Sequence, residues 1–291
     1  MHELVRHQNV IPDRLSFLWL ELTAKCQLEC THCYADSGPR GTHGSMTRED
    51  WTRVIDEAHE LGVRTILFIG GEPMLHPHLK ELIERAARPG IEVRVLSNLV
   101  HVPDALWEAL EMPGVRLSVS YYSHDAAAHD NMTRRRGSHL RTTENLRKAV
   151  QRGVQVRAMI VKESFGESGV TASGEIAALE AMGVSRHSVD RVRHLGRAAS
   201  GSAPRSSELC GQCSGELLAV GPDGTAFPCP MSRWLRVGNV REGSLATLVA
   251  SSRLGAARRQ IAEAIDPAVT GLPPVMRNEC FGSESGGGCG P

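Results

Sequence analysis

Apolar residues in the first two hundred positions follow two alternating spacings. Short runs rich in Val, Ile, Leu and aromatic residues read as strands: "LSFLWLELT" (15–23), "RTILFIGG" (64–71), "EVRVLSN" (92–98), "RLSVSYYS" (116–123), "VQVRAMIV" (154–161) and "HSVDRVRHL" (187–195). The stretches between them repeat at helical spacing. Trp51, Val54, Ile55, Ala58 and Leu61 fall on one face, behind a capping box of Thr47 and Asp50. "HPHLKELIERAA" (76–87) places Pro77 near a helix start. Five helical stretches end in Gly followed by Val or Ile, at Gly62, Gly90, Gly114, Gly153 and Gly183, where a left-handed cap is expected.

Strand and helix thus alternate about six times, through roughly residue 196. Such alternation predicts a parallel sheet with right-handed crossovers, as an open doubly wound sheet or a partial barrel. In either, ligands sit at the carboxyl ends of the strands. Four motifs converge there: "CQLECTHC" (26–33) after the first strand, "GGEP" (70–73) after the second, Ser97–Asn98 ending the third and "SYYSHD" (120–125) ending the fourth.

Composition narrows the function classes. The 291 residues are 41% hydrophobic and 23% charged, with 33 basic and 33 acidic side chains and no net charge. That balance argues against nucleic acid or an anionic membrane as a main partner. No apolar run approaches the roughly 18 residues of a spanning helix. The first 22 residues show no secretory signal, so a cytoplasmic setting is expected. There, eight cysteines are metal ligands rather than disulfides.

Cys26, Cys30 and Cys33 put three thiols on one short loop. A structural zinc site wants four closed ligands, and a [4Fe–4S] cluster usually takes four thiolates. Three would leave one iron open for a substrate or cofactor. A zinc loop completed by His32 or His43 stays as the alternative. The cysteine loop followed one β-α unit later by "GGEP" resembles the radical S-adenosylmethionine (SAM) superfamily, over about the first 200 residues. The resemblance implies a partial (β/α)6 TIM-like barrel in which Cys26, Cys30 and Cys33 hold a [4Fe–4S] cluster whose open iron chelates SAM. It implies that His32 and Tyr34 lie near the adenine. Gly70, Gly71, Glu72 and Pro73 would contact the methionine amino group, with Glu72 able to accept from an ammonium. Ser97 and Asn98 match a position touching ribose or carboxylate. Arg157, Arg191 and Arg193 are further candidates for the SAM carboxylate. Strand alternation places Arg191 and Arg193 on one face, opposite Asp190 and Val192.

The remaining cysteines lie beyond a Ser/Gly/Ala/Arg-rich stretch at 196–208, giving domains at 1–200 and 201–291. "CGQC" (Cys210, Cys213) precedes "GELLAVGPDGTAFPC", read as a hairpin turning at Pro222–Gly224 and ending at Cys229. "SLATLVASSRLGAARRQIA" reads as one helix, and the tail carries Cys280 and Cys289. This resembles a small cysteine-rich SPASM or twitch extension. It implies one auxiliary [4Fe–4S] cluster on Cys210, Cys213, Cys229 and either Cys280 or Cys289. A zinc ribbon is the alternative.

Tyr122, His124 and Asp125 are the catalytic candidates after the fourth strand, with His129 nearby; "TRRRG" (133–137) is either a grip for an acidic peptide or phosphate or a solvated loop. The resemblance implies reductive cleavage of SAM to a 5′-deoxyadenosyl radical that abstracts hydrogen from substrate. The expected substrate is a ribosomally made peptide that is cross-linked, oxidised or epimerised. Dehydrogenation of a small molecule such as an aminocyclitol is the alternative, and a non-catalytic iron–sulfur or zinc protein is the alternative of another class. An external one-electron donor of flavodoxin or ferredoxin type is expected. With only about 14 residues ahead of the first strand, a separate leader-recognition protein or direct docking is expected too.

Overall fold

The computed structural model describes residues 14–162, 172–211, 213 and 215–265. Six strands run parallel in sequence order: β1 (Phe17–Glu21), β2 (Thr65–Ile69), β3 (Glu92–Ser97), β4 (Val115–Tyr121), β5 (Gln155–Lys162) and β6 (His187–Arg191). Between them lie α1 (Arg48–Glu60), α2 (Leu79–Ala86), α3 (Trp107–Leu110), α4 (Ala126–Thr133), α5 (Ser138–Gln151) and α6 (Ser173–Ala181). An order without reversal sends every right-handed crossover to the same face. That excludes a doubly wound sheet, which needs a switch point, and leaves the partial barrel.

The two faces differ accordingly. Leu18, Leu20, Ile66, Phe68, Val95, Leu117 and Ile160 pack with the helices in the main core. Their alternating neighbours Phe17, Trp19, Leu67 and Ile69 form a separate cluster on the other, concave face. The predicted local signals are present. Thr47 Oγ1 accepts from Asp50 N at 3.1 Å while Asp50 Oδ2 accepts from Thr47 N at 3.0 Å, closing the capping box. All five helix-ending glycines have positive φ.

The chain then returns to the sheet. β7 (Leu217–Val220) pairs parallel with β1, and β8 (Thr225–Phe227) and β9 (Gly238–Asn239) follow antiparallel. The predicted turn forms, with Asp223 accepting from Thr225 N at 3.0 Å and Thr225 Oγ1 at 2.9 Å. The expected single helix over 244–262 is instead two, α7 (Leu245–Val249) and α8 (Ser252–Ile265). Ser251 breaks it: its hydroxyl donates back to Leu248 O and accepts from Leu254 N, a local alternative to continuous helix. Among the described residues, no helix is long and apolar enough to cross a membrane.

Candidate active site

The segment leaving β1 is laid along the turn that leaves β2. Gly71 N donates to Thr23 O at 2.6 Å and Glu72 N to Lys25 O at 2.9 Å. A Cβ on Gly71 would fall 2.4 Å from Lys25 O, and one on Gly70, whose φ is +146°, 2.5 Å from Thr23 O. The glycine pair is therefore required by backbone approach. The cysteine loop that follows is held by distant donors and acceptors. Glu29 N and Thr31 N donate to Thr133 O and Met132 O, and Arg135 Nη1 donates to Gln27 O at 2.9 Å. Arg197 donates to Cys30 O at 2.6 Å and Ser37 O at 2.7 Å, while its own N–H reaches Cys33 O at 2.9 Å.

The three thiols open onto a cavity of about 900 Å³ at the carboxyl ends of the strands. His32, Tyr34, Gly70, Gly71, Asn98 and Tyr122 line it too, as does Arg191. Asn98 Nδ2 lies 3.6 Å from Cys26 Sγ, and Leu28 N and Ser37 N each approach a sulfur, of Cys26 and Cys33, at 3.4 Å. Tyr122 stands with Cys30 in the cavity wall, and its ring meets His32 edge-on at 4.7 Å and stacks on His129 at 5.3 Å. Burial pushes the Cys30 thiol up to about 12 and raises Cys26 as well. Burial lowers His32 to about 4, holding its imidazole neutral.

Several expected residues stand elsewhere. Glu72 is fully buried and faces β3 rather than the cavity: its carboxylate accepts from Met74 N, Ser97 Oγ and Asn98 N at 2.8–3.0 Å. Those bonds hold the carboxylate against the end of β3, and burial raises it to about 7. Ser97 is likewise turned to Glu72, and Pro73 opens a short 3-10 turn. Arg157 belongs to a different cleft, with Arg94, Arg116 and Arg186 at the amino ends of the strands. Asp125 caps α4 through Ala128 N at 2.7 Å, and His124 Nδ1 meets the buried Glu175 at 3.0 Å. Of the three catalytic candidates, only Tyr122 lines the cavity. Arg191 and Arg193 do not act as one face, because β6 ends at Arg191. Arg191 pairs with Glu208 at 3.0 Å and Arg193 turns back to Asp190 at 2.8 Å. His43 lies against His76, at 5.4 Å between rings.

Cys210, Cys213 and Cys229 gather on an adjoining cavity of about 450 Å³, with Cys213 hydrogen-bonded to both others. Tyr34, Leu96, Asp190, Arg193 and Met231 line both cavities. The two cysteine sets are tied through Glu21, fully buried at the end of β1. Its Oε1 accepts from Tyr34 Oη at 3.1 Å and from Arg233 Nη2 at 2.6 Å. Cys280 and Cys289 lie outside the described residues. Six thiols in two sets, none in a disulfide among the described residues, suit thiophilic iron–sulfur chemistry. Among the described residues, no three His, Cys, Asp or Glu side chains converge on one metal-ion position; each trio surrounds a cavity instead.

Comparison with known proteins agrees with this layout. The pattern of the Radical SAM superfamily matches residues 20–166, and that of the SPASM iron–sulfur cluster-binding domain matches 205–269. The chain belongs to the radical SAM superfamily, with a SPASM domain following the barrel strands. It is 32% identical over 161 residues to the AdoMet-dependent heme synthase of Methanosarcina barkeri, covering 54% of this chain and 45% of that protein. It is 27% identical over 180 residues to the PqqA peptide cyclase of Granulibacter bethesdensis, covering 62% and 48%. The chain thus spans about half the length of these curated relatives. SuiB of Streptococcus suis, bound to its precursor peptide SuiA, shares the fold at a TM-score of 0.70 and 15% identity, covering 86% and 67%.

Sequence reasoning missed Arg197, Glu21, Arg233, Asp190 and Met231. Arg197 sits in a stretch whose composition resembles a linker, so nothing local marked it. Asp190 was assigned to the face away from the arginines, and the end of β6 voids that alternation.

Proposed function

We propose that this chain is a radical SAM oxidoreductase that modifies a ribosomally made peptide, by cross-linking, oxidation or epimerisation. The observation that carries the reading is the pair of adjoining cavities, each opened by three thiols and sharing the walls Tyr34, Leu96, Asp190, Arg193 and Met231. A substrate side chain entering there reaches both cysteine sets at once. Likeness to a peptide cyclase and to a peptide-bound maturase supports a peptide as that substrate. Cys26, Cys30 and Cys33 would hold the SAM-binding [4Fe–4S] cluster. Cys210, Cys213 and Cys229, with a fourth ligand from Cys280 or Cys289, would hold one auxiliary cluster. When bound, the first cluster and SAM supply a 5′-deoxyadenosyl radical.

The chain's own residues bind, orient and shield. Gly70 and Gly71 let the β1 and β2 exits pack closely at the cavity wall, and Asn98 holds its amide beside Cys26. His32 and Tyr122 give an aromatic wall that excludes water. Glu72 positions Asn98 by accepting its N–H. Arg191 would offer its guanidinium to the SAM carboxylate. The barrel at 1–200 and the cysteine-rich segment at 201–291 would work as one unit, since β7 pairs with β1.

The test is incubation of the reconstituted protein with SAM, dithionite and short peptides encoded beside it. Cross-linking removes two hydrogens from the peptide with matching 5′-deoxyadenosine, whereas epimerisation leaves the mass unchanged and takes up solvent deuterium. No 5′-deoxyadenosine under any condition overturns the reading. Likeness to the heme synthase favours a second one, oxidation of a small molecule. Peptide-independent turnover of a small substrate would select it.

A further inference from the structure

The "TRRRG" stretch plays no part in the cavity, yet it is bonded to the cysteine loop. Met132 O and Thr133 O accept from Thr31 N and Glu29 N, and Arg135 donates to Gln27 O. On its outer side Arg134, Arg135, Arg136 and Arg141 are all exposed, and none makes an ion pair among the described residues. The half-buried carboxylate of Asp130 is already committed to Gly137 N, Ser138 Oγ and His139 N. Two exposed carboxylates lie close by, Glu144 one turn along from Leu140 and Arg141 and Glu29 beside Thr133, and the four arginines outnumber them. Next to Arg141 on the same helix stands Leu140, 58% exposed and the large apolar side chain left outside among the described residues.

Exposed arginines clustered beside an apolar side chain suit contact with a negatively charged protein surface. Beneath it a stack of rings leads inward. His139 meets His129 at 5.3 Å, His129 stacks on Tyr122 at 5.3 Å, and Tyr122 lines the cavity together with Cys30. Electron transfer weakens steeply with distance, so the face behind the cysteine loop is a favourable place to deliver an electron. The cavity side is taken by SAM and substrate in the proposed function, on which this inference rests.

We propose that Leu140 and the surrounding arginines form the docking face for a small acidic one-electron donor. The donor's reduced flavin or iron–sulfur centre loses one electron, and the group held by Cys26, Cys30 and Cys33 gains it; no atom is transferred. Opposite charge steers such encounters and makes them salt-dependent.

The probe is a purified acidic flavodoxin, reduced to its hydroquinone, against the reconstituted protein. Arg136→Glu/Arg141→Glu should weaken flavodoxin binding at least tenfold, flatten its salt dependence and slow flavodoxin oxidation in stopped flow. Arg136→Gln/Arg141→Gln should lose about half that effect on a logarithmic scale. Dithionite needs no docking, so dithionite-driven 5′-deoxyadenosine formation should equal wild type in both variants. Unchanged flavodoxin affinity in the charge-reversed protein overturns the proposal. So does wild-type binding to phosphatidylglycerol vesicles but not to flavodoxin. If wild type yields no 5′-deoxyadenosine with dithionite, the proposed function fails, while the flavodoxin affinity still decides the docking face.

Discussion

Arg197 donates to the carbonyl oxygen of Cys30 at 2.6 Å, across 167 positions of sequence. With its second nitrogen on Ser37 O at 2.7 Å, one guanidinium spans both ends of the cysteine loop. A planar fork suits two carbonyls in fixed relation, and a lysine ammonium cannot span them the same way.

Arg197→Met should therefore loosen the loop by about 2 kcal/mol, the scale of losing charged hydrogen bonds to buried acceptors. Iron bound at the N-terminal set should be lost to a chelator several times faster, with Arg197→Lys intermediate. Equal rates in wild type and Arg197→Met would leave Arg197 without the role given to it.

Glu72→Ala removes the acceptor for Met74 N, Ser97 Oγ and Asn98 N together. Buried donors left unsatisfied cost about 1–3 kcal/mol each, so a loss of about 3 kcal/mol is expected after hydroxyl rotation. SAM binding should weaken because Asn98 N is released. Glu72→Gln keeps one acceptor oxygen and should lose about half as much, measured by melting temperature and SAM titration.

Glu21 depends on Arg233 for its charge partner. Burial raises the Glu21 carboxyl, and Arg233 is the main influence opposing that. Arg233→Met strands a buried carboxylate and should cost about 2 kcal/mol, less than a fully enclosed pair because the Arg233 side chain is 34% exposed. The double variant Glu21→Gln/Arg233→Met should regain much of the loss. A double variant no more stable than Arg233→Met would disprove the coupling.

His129 is 1% exposed and burial lowers it from 6.5 to about 4. The unfolded chain then takes up a proton below pH 6.5 while the folded chain does not until about 4. Stability is therefore complete above 6.5 and falls as pH drops toward 4. Between pH 7 and 5 this one group accounts for about 2 kcal/mol. His129→Phe should lose that much less stability over the same interval, read from urea midpoints at both pH values.

The parts of this account visible in sequence were those set by local chemistry. Helix-ending glycines, the Thr47–Asp50 box and the Pro222–Gly224 turn depend on near neighbours, and each formed as expected. The cysteine loop and Gly70–Gly71 were legible because their spacing is itself the constraint. Side-chain direction was not. Glu72 serves as a buttress because Met74 N in the short turn after β2, Ser97 Oγ at the end of β3 and Asn98 N just beyond it all donate to its carboxylate. Arg157 fell in register with Ser118, low on the sheet, which a strand assignment without register cannot show. Arg197 and Arg233 act across 167 and 212 positions, a separation no periodicity encodes.

The central claim is that two thiol sets hold two iron–sulfur clusters, and the direct measurement is iron and sulfide per chain after anaerobic reconstitution, with zinc assayed alongside. It is made on wild type and on Cys26→Ala/Cys30→Ala/Cys33→Ala. The account predicts about eight irons in wild type and about four in the variant, two clusters and then one. About four irons falling to none, with zinc on the C-terminal cysteines, would contradict it.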